Sequence, residues 1–306
     1  MKMLQKGIWA GLIGLLTGLS FEGMAQQELQ SSTYFMAPMP FNPAYTGLSE
    51  QLNVRSMSRM QWLGWSGAPK SHILTIDAPF MRKSAGAGMT LIQDNVGART
   101  STLATVSGAA HLPLSDDWTM SFGLSGGMRF HAYDFTNLRA EDPSDELYQT
   151  VFRDWSPSFG AGVYATSSKA YVGFSVPQIL VQSLSDSTDT DVLQRHHYVM
   201  AGLKKNYGQG VTLQYGVLAK ATADAPPAVD FQALLMYHDE IGFGGHFRWG
   251  ESLGFMLRLK LSSALSAAYL VEMPWNSLRT QNFGTHELAL RWNFKSPEVV
   301  MNNRFF

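Results

Sequence analysis

Residues 118–131, WTMSFGLSGGMRFH, alternate between apolar and polar side chains. The apolar set is Trp118, Met120, Phe122, Leu124, Met128 and Phe130, and Thr, Ser, Gly, Arg and His occupy most of the positions between them. A repeat of two residues is typical of a strand with two different faces, whereas the apolar residues of an amphipathic helix recur every three or four positions. The stretch predicts a β-strand with one face in an apolar environment and the other in a polar one.

The same alternation returns at 211–217, 241–249, 253–260 and 287–294. Strands of soluble sandwiches average about 5 to 6 residues, whereas a strand that crosses a membrane needs about 9 to 11. The predicted strands are of the longer kind. They start near Gln51, Ser71, Ser84, Ala98, Asp117, Pro157, Lys169, His196, Gly210, Ala228, Glu240, Glu251, Ala264 and Thr285. The sequence therefore predicts an all-β fold, an outer-membrane, antiparallel up-and-down barrel of about 14 strands.

The predicted connections between strands are short at one end of the barrel and include long ones at the other. Short links are predicted near 81–83, 114–116, 167–168, 206–209, 238–239 and 262–263, and long polar ones at 132–155, 178–195 and 273–284. Bacterial barrels have short periplasmic turns and longer extracellular loops, so the even strand number puts both ends of the barrel chain on the periplasmic side. Aromatic residues near strand ends, Tyr171, Tyr198, Trp249 and Trp275, are expected to form an interfacial girdle.

Composition supports this fold class. Hydrophobic residues make up 45% of the 306-residue chain and charged residues only 15%, against about 25% in an ordinary globular protein. The net charge of −1 does not favour nucleic acid as a partner, because such proteins carry a basic face. The absence of cysteine excludes disulfides, thiolate metal sites and a cysteine nucleophile.

The amino-terminal residues predict an export signal. Lys2 and Lys6 precede an apolar run from Gly7 to Leu19, and Gly23-Met24-Ala25 offers small residues for cleavage. We therefore expect a signal peptide at 1–25, a periplasmic segment at 26–50, the barrel at 51–294 and a periplasmic tail at 295–306.

Charged residues fall on the polar face of several predicted strands. They are Arg129, Lys220, Arg248, Arg258, Lys260, Arg291, Asp230, Glu272 and Glu287. Two interpretations stay open: a salt-bridged, packed interior, or a lumen lined to select solutes. Because both signs are mixed, we favour the packed interior, with a passive porin as the alternative.

Three patterns that could carry chemistry have simpler explanations. Gly123–Gly127 matches G-x-S-x-G, but that pattern needs a strand-turn-helix elbow and here lies inside an alternating strand, so a hydrolase that uses Ser125 and His131 is disfavoured. His196 and His197 are adjacent and point to opposite faces of a strand. Asp186, Asp189 and Asp191 lack the glycine and the terminal glutamate of a calcium loop. We predict no catalytic residue, no metal site and no cofactor.

Several motifs resemble the PorP/SprF family of type IX secretion proteins. These are Ser32–Pro38 leading into Phe41-Asn42-Pro43-Ala44-Tyr45-Thr46-Gly47, then Arg59-Met60-Gln61-Trp62-Leu63-Gly64 with Gly67-Ala68-Pro69, then Gly86, Gly88, Asp94 and Gly97, and further on Gly173–Pro177, Arg195–Tyr198 and His286–Leu288. The resemblance covers nearly the whole mature chain in order.

The resemblance implies a non-enzymatic outer-membrane component of the type IX secretion and gliding machinery. Its expected partners are outer-membrane lipid, the periplasmic ring or peptidoglycan-linked components of the machinery, and a secreted cell-surface protein. The motif residues Asn42, Pro43, Ala44, Tyr45, Gly47, Arg59, Gln61, Trp62, Gly64 and Pro69 become candidates for partner binding or for a structural role. Pro43 and Gly47 favour a turn before the first strand. That turn could dock a periplasmic partner, plug the lumen or clamp the first strand.

Overall fold

The computed structural model describes residues 30–49, 51–136, 151–180, 182–183, 192–223, 225–275, 279 and 282–294. The predicted signal peptide, the predicted tail at 295–306 and the three loop aspartates at 186, 189 and 191 lie outside these residues.

Fourteen antiparallel strands close into one barrel. The strands are β1 (Leu52–Met60), β2 (Lys70–Phe80), β3 (Ala85–Val96), β4 (Arg99–Pro113), β5 (Thr119–Asp134), β6 (Val151–Thr166), β7 (Ala170–Val176), β10 (His197–Gly208), β11 (Val211–Thr222), β12 (Ala225–Tyr237), β13 (Ile241–Arg248), β14 (Ser252–Lys260), β15 (Leu265–Pro274) and β16 (Thr285–Phe294). A small hairpin of β8 (Gln182–Ser183) and β9 (Val192–Leu193) lies outside the barrel sheet. The predicted fold class and the strand number are confirmed.

Every barrel strand pairs with its neighbours, and β1 pairs with β16 to close the seam. Closure removes the unpaired edges that an open sheet would expose. We call the end that carries the short links the turn end and the opposite end the loop end. By the general rule for bacterial barrels, the turn end is periplasmic and the loop end extracellular.

The alternation of the sequence separates outside from inside as predicted. On β5, Phe122 and Leu124 are exposed on the outer face, whereas Ser121 and His131 are buried inside. On β13 and β14, Phe243 and Phe255 point outward, and His246 lies inside. The outer face therefore carries the apolar side chains that lipid requires.

Two expectations need correction. β6 begins at Val151 and not near Pro157. Its hydrogen-bonded pairing with β5 continues as far as Asp134↔Val151, beyond the part of the strand in which apolar and polar residues alternate. Tyr198 is buried inside the barrel and Tyr171 packs against the same interior cluster, so neither belongs to an outer girdle. Trp249 and Trp275 are exposed, as a girdle requires.

Residues 30–49 precede the first strand in sequence but do not stand apart from the barrel. They lie inside it, and we call them the plug. Its first residues contact β13, β15 and β16 at the loop end, and its last ones reach β2 and β3 at the turn end, where β1 begins. A 3₁₀-helix, η1 (Pro43–Tyr45), lies within the plug, and a second, η2 (Met81–Lys83), forms the link between β2 and β3. Among the described residues, no helix is sufficiently long and apolar to span a membrane.

Candidate functional site

The start of the plug is held by a group of buried charges that we call the anchor cluster: Arg59, Asp230, Arg248, Glu272 and Glu287. Arg59 lies 3.1 Å from Glu287 and 3.4 Å from Glu272, and Arg248 lies 2.6 Å from Asp230 and 3.1 Å from Glu272. All five side chains are largely buried. Buried charges are tolerated only when they are paired and hydrogen-bonded, and here each carboxylate faces at least one guanidinium.

The plug completes the hydrogen bonding of these carboxylates. The backbone N–H groups of Ser32 and Thr33 donate to Glu287 at 3.0 and 2.8 Å, and the Ser31 hydroxyl donates to the same carboxylate at 2.6 Å. The Ser32 hydroxyl donates to Glu272 at 2.6 Å. Hydrogen bonds to an ionised acceptor are about twice as strong as neutral ones. The polar start of the plug is therefore fixed in the loop half of the lumen.

The middle of the plug fills the lumen with apolar side chains. Met36 and Ala37 pack in a cluster with inward residues of β1 to β4, β15 and β16, while Tyr34, Phe41 and Ala44 pack against inward residues of β6, β10 and β11. Phe35 touches these two clusters and a third one on β12, β14 and β15. Burial raises the pKa of the Tyr34 phenol, which therefore stays protonated.

Asn42 fixes η1 to the wall. Its side-chain oxygen accepts the backbone N–H of Ala44 at 2.9 Å, which is the usual cap of a helix start. Its amide nitrogen donates to the carbonyls of Val163 on β6 and Phe174 on β7, at 3.0 and 3.4 Å. Pro43 follows at the first helical position, where a missing N–H costs nothing.

The exit of the plug is held by a second, smaller polar group. The Gly47 N–H donates to Asp77 at 2.9 Å, Asp77 pairs with Arg55, and the Arg55 guanidinium lies 5.5 Å from the centre of the Tyr45 ring. Gly47 has a φ of +71°, and a Cβ there would overlap the backbone of Gly86 on β3. A glycine is required at this position by both its conformation and the close approach.

The second motif, at residues 59–69, forms part of the loop-end rim. Arg59 belongs to the anchor cluster. Gln61 is also buried, and its backbone N–H donates to the Pro69 carbonyl at 2.9 Å. Leu63 exchanges backbone hydrogen bonds with the loop before β16, through Gly284 at 2.8 Å and Phe283 at 2.9 Å. The other candidates from this motif complete the rim: Trp62 packs on Trp65, and Gly64 lies against the Phe283 ring.

A cavity of about 100 Å³ remains between the plug and the wall in the loop half of the barrel. Its lining includes Met39 and Phe41 from the plug and Arg59, Arg99 and Ser125 from the wall. At about 30 Å³ per molecule in the liquid, a space of this size holds roughly three water molecules.

The chemistry considered above has no geometric support among the described residues. Ser125 lies within the regular β5 ladder, and His131 is on the same face six residues away, which at about 3.3 Å per residue separates them by roughly 20 Å. His196 is buried and His197 is exposed, as opposite faces require. Within the described part of the chain, no group of three or more His, Cys, Asp or Glu could hold a metal ion.

The candidate residues thus fall into two places. Asn42, Pro43, Ala44, Tyr45 and Gly47 lie in the plug, and the candidates from 59–69 lie at the loop-end rim, with Arg59 in contact with the plug. No sequence pattern pointed to Ser31 of the plug, or to Arg55 and Asp77 of the wall, as residues that hold the plug. The inward positions held by apolar residues were a signal for the plug, because a water-filled lumen has no use for them: Met57, Ile73, Ile92, Leu103, Leu218, Leu234, Met236 and Leu270.

Comparisons with known proteins agree with this architecture. A family model described as "Type IX secretion system membrane protein PorP/SprF" matches residues 23–292. No curated protein matches the chain. Among solved structures, the Ralstonia pickettii toluene transporter TbuX aligns with a TM-score of 0.50 at 10% identity over 87% of this chain and 94% of its own. The Acinetobacter baumannii outer membrane protein Omp33 aligns with a TM-score of 0.49 at 11% identity, over 81% of this chain and 100% of its own. At such identities, the likeness to these structures concerns the fold alone.

Proposed function

Because the chain belongs to the PorP/SprF family of type IX secretion system membrane proteins and is an outer-membrane barrel, we propose that it anchors partner proteins or assists their export and surface attachment. It does so without enzymatic activity. Its partners are the periplasmic ring or peptidoglycan-linked components of the machinery at the turn end, and a secreted cell-surface protein at the loop end.

The plug is the observation that carries this proposal. A passive porin needs a continuous aqueous path, yet the lumen here contains residues 30–49, held by two polar groups and three apolar clusters. A cavity of about 100 Å³ lies between the plug and the wall in the loop half. A filled barrel is suited to presenting its two ends to other proteins, and this favours a docking role over solute transport.

The rim of the loop end supports the same proposal. Backbone hydrogen bonds tie the loop after β1 to the loop before β16 and to Gly97, the turn before β4. Rigid loops lose little conformational entropy on binding, which favours affinity for a partner.

Two measurements test the proposal. The full-length protein is tagged, captured from detergent-solubilised outer membranes and its partners identified by mass spectrometry; we expect machinery components or a secreted surface protein. In planar bilayers we expect the full chain to conduct few ions and a variant that lacks residues 30–49 to conduct more. A chain that is captured alone and conducts as well as its plug-deleted variant would be a porin, and the docking role would be abandoned.

A further inference from the structure

The outer wall of the barrel has an open apolar groove, which we call the outer groove. It has a volume of about 830 Å³ and runs across the lipid-facing side of β4, β5, β6 and β7. Its lining includes the small residues Gly108, Ala110 and Ala161 and the larger ones Phe122, Leu124, Phe174, Val176 and Ile179. The volume lies within the range of about 300–1,000 Å³ that is usual for ligand sites.

The groove lies directly behind η1 of the plug. On the inner face of the same strands, Gly123 meets Pro43 and Ala44, and Gly162 and Gly173 meet Asn42. A Cβ at Gly123 would overlap the backbone of the plug, and one at Gly162 or Gly173 would overlap the Asn42 side chain, so the glycines let the plug approach the wall closely. Gly123 and Gly162 also line the groove from outside, so the wall between plug and groove has the thickness of a single backbone there.

Two polar side chains lie at the loop-end side of the groove. Arg195 is exposed, and its Nε donates to the Ile179 carbonyl at 2.9 Å, which holds the guanidinium at the groove. Among the described residues, its terminal nitrogens have no ion-pair partner. The His197 ring stacks on Phe174, with ring centres 6.1 Å apart. The site thus combines a long apolar cleft with one cation at its extracellular side.

We propose that the outer groove binds a phosphate-bearing lipid of the outer leaflet, with an acyl chain along Gly108 and Ala161 and the phosphate at Arg195. The groove faces the bilayer, where lipid is present at high concentration. In that medium an apolar protein partner gains no hydrophobic advantage over lipid tails, which fit an irregular cleft equally well. Arginine is well suited to phosphate because its planar donors bind two oxygens at once.

The test uses the full-length protein in detergent and native mass spectrometry with dimyristoyl phosphatidic acid as the probe. Gly108→Leu fills the groove at a position where the nearest atom to an added Cβ, the Gly86 carbonyl oxygen, is 3.9 Å away. Gly245→Leu is the matched control, because Gly245 lies outside the groove and its nearest atom is the Gly254 carbonyl oxygen at 3.8 Å. Circular dichroism verifies that both variants keep their strands.

We expect Gly108→Leu to weaken phosphatidic acid binding by about tenfold or more, and Gly245→Leu to leave it unchanged. Arg195→Gln is expected to weaken it about fivefold, and dimyristoylglycerol, which lacks the phosphate, to bind more weakly than phosphatidic acid. Equal binding by the two leucine variants would overturn the site. Equal binding of the two lipids would overturn the role of Arg195. Displacement of the lipid by inorganic phosphate would overturn the role of the acyl chain. A polypeptide bound in place of lipid would overturn the proposal as a whole.

Discussion

Arg59 on β1 and Glu287 on β16 face each other across the seam of the barrel, with Nη1 and Oε2 3.1 Å apart and both side chains buried. The same Glu287 carboxylate accepts the backbone N–H groups of Ser32 and Thr33. One ion pair therefore joins the first strand to the last and fixes the start of the plug.

Glu287→Gln tests this joint role. Removing the charge leaves Arg59 with Glu272 as its remaining carboxylate and weakens four hydrogen bonds from the plug, so we expect a loss of about 3 to 5 kcal/mol in the free energy of unfolding. Urea unfolding followed by tryptophan fluorescence measures it. Glu251→Gln is the control, because Glu251 is one-third exposed and 3.6 Å from Arg248. Equal stability of the two variants would contradict an anchoring role for Glu287.

Gly47→Ala tests the exit of the plug. Gly47 and Gly97 both have positive φ values, +71° and +57°, but only at Gly47 would a Cβ overlap the wall. We expect Gly97→Ala to cost about 1 kcal/mol from backbone strain and Gly47→Ala about 2 kcal/mol more from the overlap. The same unfolding measurement compares them, and equal losses would mean that the approach to Gly86 is not tight.

Gly123→Ala tests the contact between η1 and the wall. The added Cβ would overlap the backbone of Pro43 and Ala44, whereas in the control, Gly126→Ala on the same strand, the nearest atom is 3.5 Å away on the Phe159 ring. We expect Gly123→Ala to lose about 1 to 3 kcal/mol and to cleave faster within residues 30–49 under limited proteolysis. The control should behave like the wild type. A protected plug in Gly123→Ala would show that the wall can yield at that position.

Ser125→Ala tests the absence of nucleophilic chemistry. Ser125 lies in a regular strand, and His131 is far along the same face. We therefore expect the variant to capture the same partners as the wild type, which affinity capture followed by mass spectrometry measures. Loss of the partners together with intact folding would restore a hydrolase as a candidate function.

The alternation of the sequence predicted the barrel closely. Thirteen of the fourteen strand starts fall within three residues of those expected, since each strand has lipid on one side and the interior on the other. β6 differs because both of its faces are exposed above the apolar band, as Phe152 and Trp155 show, and a strand with two similar faces has no alternation to detect.

The plug was less predictable. Residues 30–49 have no strand or helix periodicity, and their partners are distant in sequence: Ser31 and Glu287 are 256 residues apart. A polar face with both signs of charge indicated a packed interior, but not which segment fills it. Tyr171 and Tyr198 were placed on the outside from their nearness to strand ends. Each lies two residues from a position that faces the plug, Gly173 and Met200, and residues two apart in a strand share a face.

The direction of the plug constrains maturation of the chain. Gln30 lies near Arg248 at the loop end and Gly47 lies near Asp77 at the turn end, so the plug descends the lumen towards the start of β1. A bulky group attached ahead of residue 30 would therefore have to reach the loop end of the barrel when the plug is seated. Removal of the predicted leader must then precede seating of the plug, and an affinity label for purification belongs at the carboxyl-terminal end.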